Sequence, residues 1–116
     1  MAGQILIVHD DDYFTTRAVA ALQAAGNVAT GSAVEDALDK LDPMPDVLIT
    51  RIRFGPGRSS GLALARMACQ RHPGIKVIFT ALRDFQDDVT GLGTFLAAPV
   101  SIPDLVAAVN GALADC

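Results

Sequence analysis

Two short runs of chemically active side chains follow apolar segments of this chain. Residues 9–12, one histidine and three aspartates, follow the apolar residues 5–8, and Arg51 follows the apolar residues 47–50. Short apolar runs of this kind predict buried parallel strands, whose carboxyl ends meet at one edge of a sheet. We therefore expect acids and a guanidinium at one pocket. Arginine is neither a nucleophile nor an anionic metal ligand, so position 51 is not expected to accept a phosphoryl group or to bind Mg²⁺.

Apolar strand-like runs alternate with helix-like segments along the whole chain. Five such pairs predict a parallel sheet with helices on both faces, and functional groups at the carboxyl ends of the strands. Ser32 and Glu35 match a capping box that would open the second helix. We predict strands at residues 4–8, 27–30, 47–51, 76–80 and 94–97, and helices at 13–25, from the capping box to 41, at 61–71, at 84–91 and after Ser101.

Composition limits the possible functions. The 116 residues are expected to form a single domain, 1–116, and about half of them are hydrophobic, enough for a packed core. The net charge of −4 argues against nucleic-acid binding. No apolar stretch approaches the roughly 20 residues of a membrane span, and no secretory segment precedes the first strand, so we expect a cytoplasmic protein without membrane contact. Cys69 and Cys116 form neither a disulfide framework nor a metal motif.

Five pieces of the chain resemble, in order and spacing, the receiver domain of bacterial response regulators. These CheY-like pieces are residues 5–11, 45–50, 61–65, 77–81 and 95–100. The resemblance implies a flavodoxin-like three-layer sandwich, with a five-stranded parallel sheet of order 2-1-3-4-5 and five helices. It also implies a signalling module of a two-component phosphorelay system rather than an enzyme. The partners would be a histidine kinase, another receiver or an output protein.

The chain departs from the family at the residues that carry its chemistry. The family has two adjacent acids that hold Mg²⁺ after the first strand, whereas this chain has His9 and Asp10. Arg51 occupies the position of the phosphoacceptor aspartate, and Ala98 that of the lysine preceding Pro99. The resemblance thus implies an atypical receiver without catalytic residues, bound Mg²⁺ or another cofactor. Its degenerate phosphorylation pocket would comprise His9, Asp10, Asp11, Arg51, Thr80, Ala98 and Pro99.

The resemblance also assigns a switch and an interaction face. Thr80 matches the switch hydroxyl of the family, and Phe95 matches its aromatic rotamer switch. Phenylalanine has no hydroxyl, so Phe95 can pack inward in one rotamer without losing a hydrogen bond. We therefore expect a locked, phosphorylation-independent domain. It would bind partners, or a second copy of itself, through the fourth helix, the fifth strand and the fifth helix.

Several roles within the pocket stay open. We expect Arg51 to form an ion pair with Asp10 or Asp11, so that its positive charge replaces that of the metal ion, although its side chain could also extend to solvent. His9 fits a pH switch or, preferably, a neutral polar residue that fills the space of an acid. The acidic run fits a functional cluster or a charged helix start, with Asp10 serving the pocket and Asp11 or Asp12 the helix.

A second function class is an anion site. Arg51, Arg53, Arg58 and Arg83 could form a rim that binds a nucleotide second messenger, although solvated arginines around a loop are the simpler interpretation. An enzyme is least favoured, because the sequence offers no convincing set of nucleophile, base and orienting group.

Overall fold

Five parallel strands form one sheet in the order β2-β1-β3-β4-β5. The structure is a computed structural model, which describes residues 3–9, 11–32, 36–37, 39–41, 45–52, 61–81, 93–98 and 100–114. The predicted strand order is confirmed. The elements are β1 (Gln4–Val8), α1 (Asp12–Ala24), β2 (Val28–Ser32), a 3₁₀ turn (Asp39–Leu41), β3 (Val47–Arg51), α2 (Gly61–Arg71), β4 (Lys76–Ala81), β5 (Thr94–Ala97) and α3 (Ile102–Ala114).

The strands match the sequence prediction more closely than the helices do. β1, β3 and β5 have the predicted bounds, whereas β2 continues to Ser32, because it pairs with β1 residue by residue as far as Val8. The residue predicted to cap the second helix is therefore the last residue of a strand. The described part of that predicted helix contains only the 3₁₀ turn. The helix predicted at 84–91 lies outside the described residues.

The sheet separates two apolar clusters, because successive strand residues point to opposite faces. On one face, strand side chains pack with Leu22 of α1 and Leu105 of α3, whereas on the other they pack with Leu64 of α2. This arrangement confirms the three-layer sandwich. Among the described residues, no helix has the length and apolar character needed to cross a membrane. The strand residues on the α1 and α3 face include Ile5, Ile7, Val47, Ile49 and Ile78, and those on the α2 face include Leu6, Val8, Leu48, Val77 and Phe79.

The side chain of Asn27 ties the end of α1 to the start of β1. The helix ends at Ala24, and Gly26 follows with a φ of 96°, in the region that glycine adopts without strain. Asn27 is only 6% exposed. Its Oδ1 accepts the backbone N–H of Gly3 at 3.1 Å, and its Nδ2 donates to the carbonyl oxygen of Leu22, also at 3.1 Å. One buried amide thus satisfies two backbone groups from different elements.

Asn27→Ala is expected to lower the free energy of unfolding by about 1–3 kcal/mol, because it leaves the buried N–H of Gly3 without its partner, whereas the carbonyl oxygen of Leu22 still accepts the backbone N–H of residue 27. Urea denaturation of wild type and variant measures the loss. Asn110→Ala is the matched control, since Asn110 is exposed on α3 and alanine favours a helix. The control is expected to be neutral or slightly stabilising. Equal losses in both variants would contradict the stabilising role of the Asn27 side-chain hydrogen bonds.

Candidate functional site

A cavity of about 250 Å³ lies at the carboxyl edge of the sheet. Arg51 of β3 pairs in register with Thr80 of β4, and each lies two residues after a strand residue, Ile49 or Ile78, that faces α1 and α3. Their side chains therefore project on the same face. Among the described residues, those with charged or polar side chains that line the cavity include His9, Asp11, Arg17, Arg51 and Thr80.

Five of the seven residues predicted for the degenerate pocket line this cavity. They comprise residues from the ends of β1, β3 and β4, the residue that precedes α1, and Ala98 after β5. The other two, Asp10 and Pro99, lie outside the described residues. The structure thus brings together strand ends that are far apart in the chain, as the alternation of strands and helices predicts.

His9 lies beside the N-terminus of α1. Its Nδ1 accepts the backbone N–H of Asp11 at 3.2 Å, and its ring centroid lies 4.6 Å from that of Phe14. Both interpretations of His9, as a neutral polar residue and as a pH switch, stay predictions.

Asp11 begins helix α1. Its Oδ1 accepts the backbone N–H groups of Tyr13 at 3.0 Å and Phe14 at 3.3 Å, and Asp12 adds negative charge to the first turn. These bonds satisfy two of the N–H groups that a helix start leaves without intrahelical partners. The prediction that Asp11 or Asp12 serves the helix is confirmed.

Two arginines contribute to the cavity wall. Arg51 is half-buried at the end of β3. Its predicted ion pair with Asp10 or Asp11 stays a prediction, and Asp10 lies outside the described residues. Sequence reasoning missed Arg17 of α1, whose guanidinium carbon lies 5.4 Å from the centroid of the Tyr13 ring. The signal was available, since residues 13 and 17 are one helical turn apart. The remaining residues of the predicted rim, Arg53, Arg58 and Arg83, lie outside the described residues.

Thr80 presents a buried hydroxyl to the cavity. The residue is 2% exposed, and its Oγ1 is the only buried side-chain nitrogen or oxygen in the described residues without a hydrogen-bond partner.

Ala98 also lines the cavity, where the family resemblance implies a lysine. Its backbone N–H donates to the carbonyl oxygen of Ala81 at 2.7 Å, which fixes the chain after β5. A methyl group at this position leaves space that a lysine would fill.

Phe95 lies on the other face of the sheet. It pairs in register with Phe79 and packs, half-buried, against the α2 cluster, whereas Thr80 faces α1 and α3. The two residues predicted to form the switch therefore do not share a face. The fixed rotamer of Phe95 stays a prediction.

The described residues around the cavity do not fit the Mg²⁺ site that the family fold implies. Mg²⁺ prefers several oxygen ligands in octahedral geometry. Arg51 brings a cation, His9 brings a nitrogen, and Oδ1 of Asp11 already accepts two backbone N–H groups. Across the described part of the chain, no group of three or more metal-ligating side chains is found.

Comparison with solved structures identifies the fold. A putative response regulator from Chloroflexus aurantiacus superposes with a TM-score of 0.82 at 24% identity, covering 98% of this chain and 99% of its own. A response regulator receiver domain protein from Clostridium thermocellum gives 0.82 at 23% identity, with 97% and 94% coverage. This chain has the receiver fold. No family model matches it, and no curated protein was found to match it.

A larger protein contains the same fold. NtrX from Brucella abortus, in a crystal structure with ATP, superposes with a TM-score of 0.86 at 22% identity over 99% of this chain. The chain spans 28% of the length of NtrX. At identities below 25%, these likenesses establish the receiver fold alone.

Proposed function

We propose that this chain is a receiver-like signalling module of a cytoplasmic phosphorelay system that acts without aspartyl phosphorylation at position 51. The observation that supports this proposal is the place of Arg51 at the carboxyl end of β3, in register with Thr80 and on the cavity wall. In the family, the resemblance places the phosphoacceptor there. This chain presents a guanidinium instead.

The chemistry of phosphoryl transfer explains why this substitution matters. An acyl phosphate forms when a carboxylate attacks the phosphodonor, and a divalent cation offsets the charge of the phosphoryl oxygens. Arg51 provides no nucleophile, and the described residues do not fit the cation site. Ala98 further removes the ammonium that would bind the product. The functions of the phosphoacceptor, the divalent cation and the lysine are therefore all weakened in this chain.

The protein incubated with Mg²⁺ and a small-molecule phosphodonor is expected to keep its unmodified intact mass. A receiver with aspartate at the acceptor position, treated in the same reaction, is the positive control. Mass spectrometry of the intact protein gives the readout. A stoichiometric, hydroxylamine-labile phosphoryl group on this chain would overturn the proposal, because it would show that another carboxylate has taken over.

Matched variants would then locate that carboxylate. Asp10→Asn, Asp11→Asn and Asp12→Asn each remove one acid from the run after β1. The hydrogen bonds of Asp11 already engage one of its oxygens, so loss of labelling in Asp11→Asn alone would also revise its assignment as a purely structural cap.

The module would transmit its signal by contact with other proteins. The candidate partners are a histidine kinase, another receiver, an output protein or a second copy of this chain. β5 lies at an edge of the sheet, and its residues Phe95, Leu96 and Ala97 are half-buried. An edge strand offers backbone groups and side chains to a partner. This surface, next to α3, supports the predicted interaction face.

A further inference from the structure

The buried hydroxyl of Thr80 offers a hydrogen-bonding group to the cavity. Buried polar groups in native proteins are almost always hydrogen-bonded, since an unsatisfied group costs stability. Thr80 is 2% exposed and lines the cavity, yet its Oγ1 has no partner within the described residues. A hydroxyl can donate one hydrogen bond and accept others. A ligand oxygen at this position would satisfy it.

The charges around Thr80 favour an anion. Arg51 and Arg17 bring two guanidinium groups to the wall, and Asp11 brings the one carboxylate among the described lining residues. That carboxylate accepts two backbone N–H groups of α1, and Nδ1 of His9 accepts the backbone N–H of Asp11. A guanidinium has five N–H donors, so Arg51 can keep a contact within the chain and still bind a ligand oxygen. The described wall therefore carries two guanidinium groups and one carboxylate.

The size and the remaining lining restrict the anion further. The volume of about 250 Å³ is below the range typical of drug-sized ligands, so the site suits a compact molecule. Ala98 contributes to this space, because it replaces the long side chain that the family resemblance implies. Apolar groups form the other part of the wall, which comprises Tyr13, Phe14, Ala81, Ala98 and Val100.

We propose that this cavity binds a small phosphate monoester non-covalently, with its phosphate between the guanidinium of Arg51 and the hydroxyl of Thr80. Arginine suits this role, because its planar donors match phosphate oxygens in pairs. Arg17, whose guanidinium lies over the Tyr13 ring, lines the same cavity. The apolar body of the ligand lies against Phe14 and Ala98.

This inference rests on the proposed function in one respect, since the bound ligand would provide the input that covalent phosphorylation no longer provides. The two proposals fail separately. Covalent labelling in the mass experiment would refute phosphorylation independence, whereas binding is measured with chelator present and Mg²⁺ absent. A phosphorylatable chain could still bind the ligand, and a chain that resists phosphorylation could still leave the cavity empty.

Phenyl phosphate is the probe for the binding experiment. Isothermal titration calorimetry of the whole chain is expected to show one site, and the melting temperature is expected to rise with ligand concentration. Phenol, which lacks the anion, should bind at least roughly tenfold more weakly, and inorganic phosphate, which lacks the apolar body, should also bind more weakly. Absence of binding by phenyl phosphate, or equal binding of phenol, would overturn the proposal.

Variants distinguish this site from general attraction of anions to the surface. Arg51→Gln and Thr80→Val are each expected to weaken phenyl phosphate binding roughly tenfold or more. Thr80→Val also removes the unsatisfied hydroxyl, so its melting temperature without ligand should equal or exceed that of wild type. Arg66→Gln is the matched control, because Arg66 is exposed on α2 and does not line the cavity. Equal weakening in Arg66→Gln, or unchanged binding in folded Thr80→Val, would contradict the assignment.

Discussion

Gly61→Ala is expected to lower the free energy of unfolding by about 3 kcal/mol or more, the largest loss for one added methyl group among the described glycines. Gly61 is buried at the first position of α2, and its N–H donates to the carbonyl oxygen of Ile52 at 2.8 Å. A Cβ at this position would overlap the carbonyl group of Arg51 and lie 2.8 Å from Oγ1 of Thr50. Because the obstacle is backbone, no rotamer change relieves it, and α2 must move away from β3.

Thermal unfolding measures this loss, and a decrease of more than about 10 °C in melting temperature is expected for a domain of this size. Gly111→Ala is the matched control on α3, where a Cβ would meet no atom within 4 Å. It should be stabilising by about 0.5–1 kcal/mol, because alanine is the better helix former. Equal effects of the two substitutions would contradict the close approach of α2 to β3. The displaced backbone includes Arg51, so Gly61→Ala should also weaken phenyl phosphate binding.

Sequence patterns predicted the sheet well because each central strand is a short apolar run. Residues 4–8, 47–51 and 94–97 were predicted with the bounds that the structure has. β2 was harder, since Val28 is its one strong strand former and is itself exposed. The pairing of β2 with β1 determines how far it extends, and this tertiary effect is not encoded in local propensity. Ser32, read as a helix cap, belongs to β2 for the same reason.

The pocket could be predicted in part, because strand order brings the ends of β1, β3 and β4 to one edge. Arg51, His9 and Thr80 follow from their positions at strand ends. The position of Arg17 at the cavity could not be predicted in this way, because it depends on how α1 packs over the sheet. The missing partner of the Thr80 hydroxyl also depends on packing around a single atom. Sequence can therefore indicate which groups converge, whereas packing determines which of them are satisfied.

The positions of Thr80 and Phe95 illustrate a different limit of prediction from the sequence. The family resemblance paired them as one switch, but strand alternation places them on opposite faces. Phe95 stands opposite Phe79 in the register of β4 and β5, so its environment is the α2 cluster. Phe79 and Thr80 are neighbours on β4, so this strand links the cavity to the surroundings of Phe95. Phe79 becomes the residue through which the locked state of Phe95 can be tested.

Phe79→Ala is expected to lower the free energy of unfolding by about 3–5 kcal/mol, because it leaves a cavity in the α2 cluster. Phe79 is 0% exposed and is the largest fully buried side chain in the described part of the chain. Globular domains are typically stable by about 5–15 kcal/mol, so this variant should remain folded at low temperature with a small margin. Urea denaturation measures the loss. Phe79→Leu, which keeps much of the volume, should lose about half as much or less.

The same substitution tests whether Phe95 is held in one rotamer. In wild type, Phe79 packs in the cluster that Phe95 contacts, so its removal opens space beside the Phe95 ring. Aromatic NMR relaxation should show a single Phe95 conformer in wild type and exchange between conformers in Phe79→Ala. Tyr13→Ala is the surface control, since Tyr13 is 72% exposed, and it should change stability by less than about 1 kcal/mol without altering Phe95. Exchange of Phe95 between conformers in wild type would contradict the prediction of a locked domain, because the ring would then change rotamer without a ligand in the cavity.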